Sequence, residues 1–382
     1  MNKTGKIILW IVVVVVVVGL IWYGVSQTKK TSGPATGEPI KIGWIGPLTG
    51  DGASIGQNAK AATEIAVAEV NAAGGINGRP LELIYEDGKC NGKDASNAAN
   101  KLLNVDNVPV ILGGACSSET SSFVATARDM KRVVLSDCSS APALSKSGEY
   151  FFRVYPSDNF QGEYAANYAF NDLGKRKVAV LYVQSDWAVG IDQVFVPKFK
   201  ALGGEIVAEE TVKQNDKDLR VQLTKIKDAN PDLIYFVGYT NESVAGLKQM
   251  QEMGMTTQVL GADAWDDTTI WQSVGSAGEG VQYILPYSPM SDHFKQAMKE
   301  KLGKDELLIC SPGAYDGVKI LAKVMSQVGT DPVKIKDALH QMKPYTESVV
   351  APSISFDQNG DILGASYEVK IIKDGKMIEY KK

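Results

Sequence analysis

From residue 40 onward, short apolar runs alternate with longer stretches in which apolar residues recur every three or four positions. The runs at 40–45, 81–85, 108–112, 133–136 and 150–155 read as buried strands, and the periodic stretches at 54–73, 95–105 and 119–128 read as helices. In the first helix Ala62, Ile65, Ala66 and Val70 share a face, and Gly74-Gly75 ends it, since glycine accepts the left-handed geometry of a helix C-cap. The pattern then restarts. Helices are predicted over 159–172, 188–202, 219–228 and 243–253, and strands over 178–183, 205–210, 233–237, 259–261 and 281–285. Two successive βαβ series predict an α/β chain with two lobes, each built on a doubly wound parallel sheet. Helices over 293–302, 314–328 and 333–341 follow, then strand-like segments at 353–356 and 365–372 around a turn at 358–361.

Ahead of this pattern, residues 7–25 form an almost unbroken apolar run that includes Val12 to Val18, with Trp10, Trp22 and Tyr23 near its ends. A run of about 19 residues suits one membrane-spanning helix, and interfacial aromatics fit the same reading. A cleaved signal peptide is the rival. No small-x-small cleavage site follows, so an uncleaved anchor is expected over 7–25, after a cytoplasmic tail at 1–6. The stretch 26–39 ends rich in Thr, Ser, Gly and Pro and reads as a flexible tether.

Composition narrows the function. The chain has 382 residues, 44% hydrophobic and 22% charged, and a net charge of −4; residues 1–30 carry four lysines and no acids, leaving −8 for the rest. That is a poor footprint for nucleic acid, which needs a basic face. The two histidines, His293 and His340, have no metal-ligand spacing, so neither a metal site nor a cofactor is expected. Gly50-x-Gly52-x-x-x-Gly56 has a spacing one residue too long for a dinucleotide fingerprint, and no Walker lysine is present. Asp357-x-Asn359-Gly360-Asp361 fits a hairpin turn better than a calcium loop. With no G-x-S-x-G elbow, a serine hydrolase has no support.

The organising feature is Gly113-Gly114-Ala115-Cys116-Ser117-Ser118, between a strand and a helix. The first turn of a helix leaves N–H groups unpaired at the positive end of its dipole, so the junction suits an anion. The plainer alternative makes Ser117 an N-cap only. Trp187 and Trp265 fall in loops at strand ends, where open sheets bind ligands. Cys90 and Cys116 follow adjacent strands of one lobe; a bridge between them would contribute roughly 3–4 kcal/mol and place the domain outside the cytosol. The alternative is two unrelated thiols. Cys138 and Cys310 have no local argument for or against pairing.

Lys41-Ile42-Gly43-Trp44-Ile45-Gly46-Pro47-Leu48-Thr49-Gly50, followed by Asn71-Ala72-Ala73-Gly74-Gly75-Ile76-Asn77-Gly78-Arg79, resembles the opening of the leucine/isoleucine/valine-binding protein family. These are the solute receptors of branched-chain amino-acid ABC transporters. The resemblance continues in order through 85–90, 113–118, 135–144, Phe152-Arg153, Gln161-Gly162 and 357–361, over nearly everything after residue 40. It implies two Rossmann-like lobes, 40–156 plus 287–345 and 157–286 plus 346–382, joined by a three-strand hinge with the ligand between them. It implies a Cys90–Cys116 disulfide. It further implies that Ser117 binds an amino acid's α-carboxylate and that the carbonyl of Cys138 accepts from its ammonium. Ser140, where the family usually has threonine, touches both ends, and Asp263, in place of Glu, pairs with the ammonium. Trp187 and Tyr239 stand at the second lobe's aromatic positions, and Tyr315 is a further candidate for the cleft. The implied protein is a monomeric, extracytoplasmic binder, not an enzyme, that delivers an amino acid to an ABC permease. A ligand-sensing ectodomain, or a binder of an amide, urea or aromatic acid, is the alternative. Trp187, Trp265 and Trp44 are the candidates for setting the side-chain preference of the pocket.

Overall fold

The computed structural model describes residues 36–381 of the chain. Its first lobe is a parallel sheet of β1 (Ile40–Gly46), β2 (Leu81–Asp87), β3 (Val110–Gly113), β4 (Val133–Ser136) and β5 (Phe151–Arg153), in the order β2-β1-β3-β4-β5. Successive strand residues point to opposite faces. Ile42, Trp44, Val110, Leu112, Val133, Leu135 and Phe152 enter one core layer, while Ile45, Ile111, Val134 and Phe151 enter the other. Both faces are covered by helices, so these strands read as continuous apolar runs rather than alternating ones. Helix α1 (Ala53–Ala72) covers the first face, and α2 (Gly92–Asn104) and α3 (Ser117–Asp129) cover the second.

The second lobe holds β6 (Lys177–Val183), β7 (Glu205–Val212), β8 (Leu233–Val237), β9 (Gln258–Gly261) and β10 (Gln282–Pro286), all parallel. Antiparallel β11 (Tyr367–Lys373) and β12 (Lys376–Glu379) complete the order β12-β11-β10-β9-β8-β6-β7. Its helices are α4 (Asp158–Asn167), α5 (Asp186–Ala201), α6 (Arg220–Ala229), α7 (Thr240–Glu252) and α8 (Thr268–Val274). The chain then returns: α9 (Asp292–Leu302), α10 (Ser311–Val328) and α11 (Pro332–His340) place Phe294, Met298, Val318, Leu321, Ile335 and Leu339 in the first lobe's core.

Several expectations need correction. Residues 346–382 were expected wholly in the second lobe, but Val349, Val350, Ile354 and Ile362 pack in the first lobe's core. Only from Tyr367 does the chain join the second sheet. The strand expected at 353–356 is reduced to isolated bridges, Tyr345 with Ile354 and Phe356 with Ile362. Strand β12 was not anticipated, although Asp374-Gly375 is a hairpin signal: both residues have positive φ, 51° and 68°, as a two-residue type I′ turn requires. The helix expected over 159–172 ends at Asn167 and continues as one π turn. The described end of the tether is held, not free: the N–H groups of Thr36 and Gly37 donate to the Gly78 carbonyl at 3.1 Å, and Arg79 Nε donates to the Glu38 carbonyl at 2.7 Å. The tail at 1–6 and the anchor at 7–25 lie outside the described residues. Among the described residues no helix is long and apolar enough to cross a membrane.

Both sheets reverse their strand order at one point, β1/β3 in the first and β6/β8 in the second. Loops leaving the carboxyl ends of strands at such a point diverge and leave a crevice. Ser117 follows β3, Cys138 and Ser140 follow β4, Trp187 follows β6, Tyr239 follows β8 and Asp263 follows β9. These six residues thus all sit in loops at the carboxyl ends of strands, at or next to the point of reversal in each lobe.

Candidate ligand-binding cleft

The strand-to-helix turn after β3 needs glycine. Gly113 and Gly114 have φ of 104° and 68°, and a Cβ on Gly113 would run into the Ile45 carbonyl. The turn delivers Cys116, not Ser117, as the N-cap of α3. The buried Glu119 carboxylate accepts from the N–H groups of Cys116 at 3.0 Å and Cys90 at 2.9 Å, tying together the two backbones that the Cys90–Cys116 disulfide also joins. Ser117 is therefore the first helical residue, and its N–H belongs to the first turn, which no helix bond uses.

The Ser117 hydroxyl oxygen accepts from the N–H groups of Ser140 at 3.2 Å and Ala141 at 3.0 Å. With both lone pairs engaged, its own O–H is left to donate elsewhere. All six residues expected to touch a ligand, Ser117, Cys138, Ser140, Trp187, Tyr239 and Asp263, line one narrow cleft that is partly open to solvent. Trp187 and Tyr239 stack at 4.8 Å between ring centroids on the second-lobe side. Pro47, Ile55 and Ile309 form the apolar wall opposite. Cys138 and Cys310 are joined by a disulfide, with Cα atoms 5.0 Å apart, and both line the cavity.

The lobes meet around the rim. Ser54 Oγ donates to Asp267 Oδ2 at 2.6 Å, the Asn241 N–H donates to Asp51 Oδ1 at 3.3 Å, and the Asp186 N–H donates to Ser118 Oγ at 3.2 Å.

Asp263 is buried at the start of a short 3-10 turn. Its carboxylate accepts from Tyr155 Oη at 2.6 Å, Gln161 Nε2 at 3.1 Å and the Ala264 N–H at 3.1 Å. Asp267, not Asp263, caps α8. Burial pushes the Asp263 carboxyl above the usual carboxylate range, and those three donors pull it back. A second acid lies beside it. Asp158, 1% exposed at the start of α4, is driven well above the usual range by burial and then by the Asp263 charge, and one of its oxygens meets no partner. No cation in the described structure pairs with either carboxylate.

Sequence reasoning missed Tyr155, Asp158 and Gln161. All three lie on or just past the first crossing between the lobes, and only Gln161 had been noticed, as part of a motif without a role. Tyr315 is not in the cavity; it is buried in the first lobe and donates to Glu69 Oε2 at 2.5 Å. Trp265 and Trp44 are fully buried, bonding the Gly238 carbonyl and Asp137 Oδ2, each at 3.1 Å, so neither shapes the cavity as expected.

A sequence profile described as Periplasmic binding protein matches residues 39–376. The chain belongs to that family, and within it to the leucine/isoleucine/valine-binding proteins. It is a solute-binding protein and not an enzyme. A relative from Pseudomonas aeruginosa, a leucine-, isoleucine-, valine-, threonine- and alanine-binding protein, is 28% identical over 87% of this chain and 89% of its own length. The branched-chain amino acid transporter substrate-binding protein of Streptococcus pneumoniae, solved in complex with isoleucine, is 28% identical with a TM-score of 0.80, over 90% of this chain and 100% of that one. An ABC transporter solute-binding protein from R. palustris, solved with 4-hydroxybenzoate, shares the fold with a TM-score of 0.81 at 21% identity, over 90% of this chain and 96% of that one.

Proposed function

We propose that this protein captures an α-amino acid, branched-chain or related, between its lobes outside the cytoplasm and delivers it to an ABC permease. The observation that carries the reading is the buried carboxylate of Asp263, with Asp158 beside it and, among the described residues, no ion pair to either. A buried uncompensated charge is costly, and an ammonium removes the cost. Across the cavity, the Ser117 O–H and the first turn of α3 supply donors and a positive dipole end for a carboxylate. Opposite preferences on opposite lobes make a zwitterion the ligand that bridges them, and its differential affinity favours closure. An aromatic acid such as 4-hydroxybenzoate has the carboxylate and lacks the ammonium, so it brings no positive charge to the acid pair.

Calorimetric titration with the twenty amino acids and with 4-hydroxybenzoate tests this. A charge-assisted hydrogen bond contributes about 1.5–3 kcal/mol, so Asp263→Asn is expected to weaken amino-acid binding by about 10- to 150-fold. Binding of 4-hydroxybenzoate with no response to any amino acid would sink the proposal. The extracytoplasmic setting is supported by two disulfides, Cys90–Cys116 and Cys138–Cys310, which persist in oxidising compartments. The apolar run at 7–25 supports an N-terminal membrane anchor, and a single chain supplies both lobes of the cleft, which supports a monomer.

A further inference from the structure

Asp158 has no assigned role in the cleft, yet it is the less well supported of two neighbouring buried acids. Asp263 receives three hydrogen bonds, from Tyr155, Gln161 and Ala264. Asp158 keeps one oxygen without any partner, and the Ser140 hydroxyl is the one side chain that bonds its carboxyl. The groups that face it are Asp263 after β9, Tyr155 at the hinge, Tyr235 on β8, Tyr367 on β11 and Arg153 on β5. Arg153 is the one cation among them, and its Nε already donates to Asp361 at 2.7 Å. Two adjacent carboxyls in a dry site cannot both ionise at little cost, and hydrogen bonds given to one carboxylate settle where the charge goes. Here the donors place the charge on Asp263 and the proton on Asp158.

We propose that the empty cleft holds one proton on Asp158 and that an ammonium arriving beside Asp263 expels it, so that capture of a zwitterion releases a proton to solvent. This rests on the amino-acid reading given above. The O–H bond of Asp158 breaks, its electron pair stays on the carboxylate, and the proton passes to water or buffer while the ammonium supplies the replacement positive charge. Asp158 is the first residue of α4, where the positive end of the helix dipole favours its ionised form once the ammonium is present. Asp158 is in these terms a positioning and proton-holding residue whose charge state is set by the ligand.

The test is calorimetric titration of the full-length protein with L-leucine at one pH in two buffers that both act between pH 6 and 7, phosphate and Bis-Tris, whose ionisation enthalpies differ. The expected result is a release of up to one proton per leucine, read as a difference in apparent enthalpy between the two buffers. The parent protein should correspondingly bind about tenfold more tightly for each pH unit of increase within the window where release is complete. Asp158→Asn keeps the shape and cannot release the proton, so both the buffer dependence and the pH slope should disappear. Leucine binding by the parent with no proton release overturns the proposal and leaves the amino-acid reading intact. Release by Asp158→Asn equal to that of the parent overturns it too. If that variant does not fold, the parent's two-buffer measurement and pH profile decide alone. A protein that binds no α-amino acid overturns the underlying reading, and the proposal with it, before any proton is counted.

Discussion

Replacing Cys138 and Cys310 by serine together should destabilise the protein more than the same change at Cys90 and Cys116. Cys138 and Cys310 are 172 positions apart, yet both belong to the first lobe. The chain between them makes nearly all of the second lobe before it returns. Treated as lost loop-closure entropy, opening the bridge costs about 5 kcal/mol if the second lobe unfolds with the first. If that lobe stays folded it acts as a clamp, only 138–157 and 287–310 loosen, and the cost falls to about 4 kcal/mol. Cys90 and Cys116 are 26 positions apart, and the same treatment gives about 3.5 kcal/mol. The assay is equilibrium unfolding in urea, followed by far-UV circular dichroism, on the ligand-free parent and the two double-serine variants. The expected order is a loss of about 4–5 kcal/mol for Cys138→Ser with Cys310→Ser, exceeding the other pair by about 1 kcal/mol. The reverse order, or a loss below about 1 kcal/mol for the long-range pair, would refute the reasoning from loop length.

Stability should also depend on pH in the direction opposite to ordinary acid denaturation. Burial pushes the carboxyls of Glu119 and Asp137 up to about 8 and about 7. Each binds its proton more tightly folded than unfolded, so the stabilisation is present at acid pH and is lost as pH rises through about 7–8. The melting temperature of the empty protein is expected to fall between pH 6 and pH 9 by an amount on the order of several kcal/mol in stability, and a rise by scanning calorimetry would contradict this. Separately, the run at 7–25 should keep the full-length protein in the membrane fraction after alkaline carbonate extraction, and removal of residues 1–30 should release it; recovery of the intact protein in the soluble fraction would refute the anchor.

Glu119 and Arg153 show where reading the chain stopped. Glu119 entered the sequence reading only as the start of a helix over 119–128. Its full burial depends on the Cys90 loop folding over it, which is a contact across 29 positions. Arg153 was noticed only as part of a Phe-Arg pair. In the fold it is completely buried and donates to Asp361 at 2.7 Å, the Ala141 carbonyl at 3.0 Å and Ser145 Oγ at 2.8 Å, bracing the segment that carries Ser140. The aromatic candidates divided in the same way. Trp187 lies in the cleft, while Trp265 and Tyr315 spend their polar atoms on partners away from it, the Gly238 carbonyl and Glu69.

What the sequence determined by itself was local and periodic. Apolar runs specified the strands, three- to four-residue periodicity specified the helices, and together they located the loops at the carboxyl ends of strands where Ser117, Cys138, Ser140, Trp187, Tyr239 and Asp263 lie. Those features depend on steric and solvation preferences within a few residues, so they are written locally. Tertiary structure alone decided that Cys138 reaches Cys310, that residues 349–362 pack in the first lobe, and that Asp158 keeps an unpartnered oxygen beside Asp263. Each of these depends on which distant groups share a water-excluded space, and the energy of a buried charge is set by that company rather than by its neighbours along the chain.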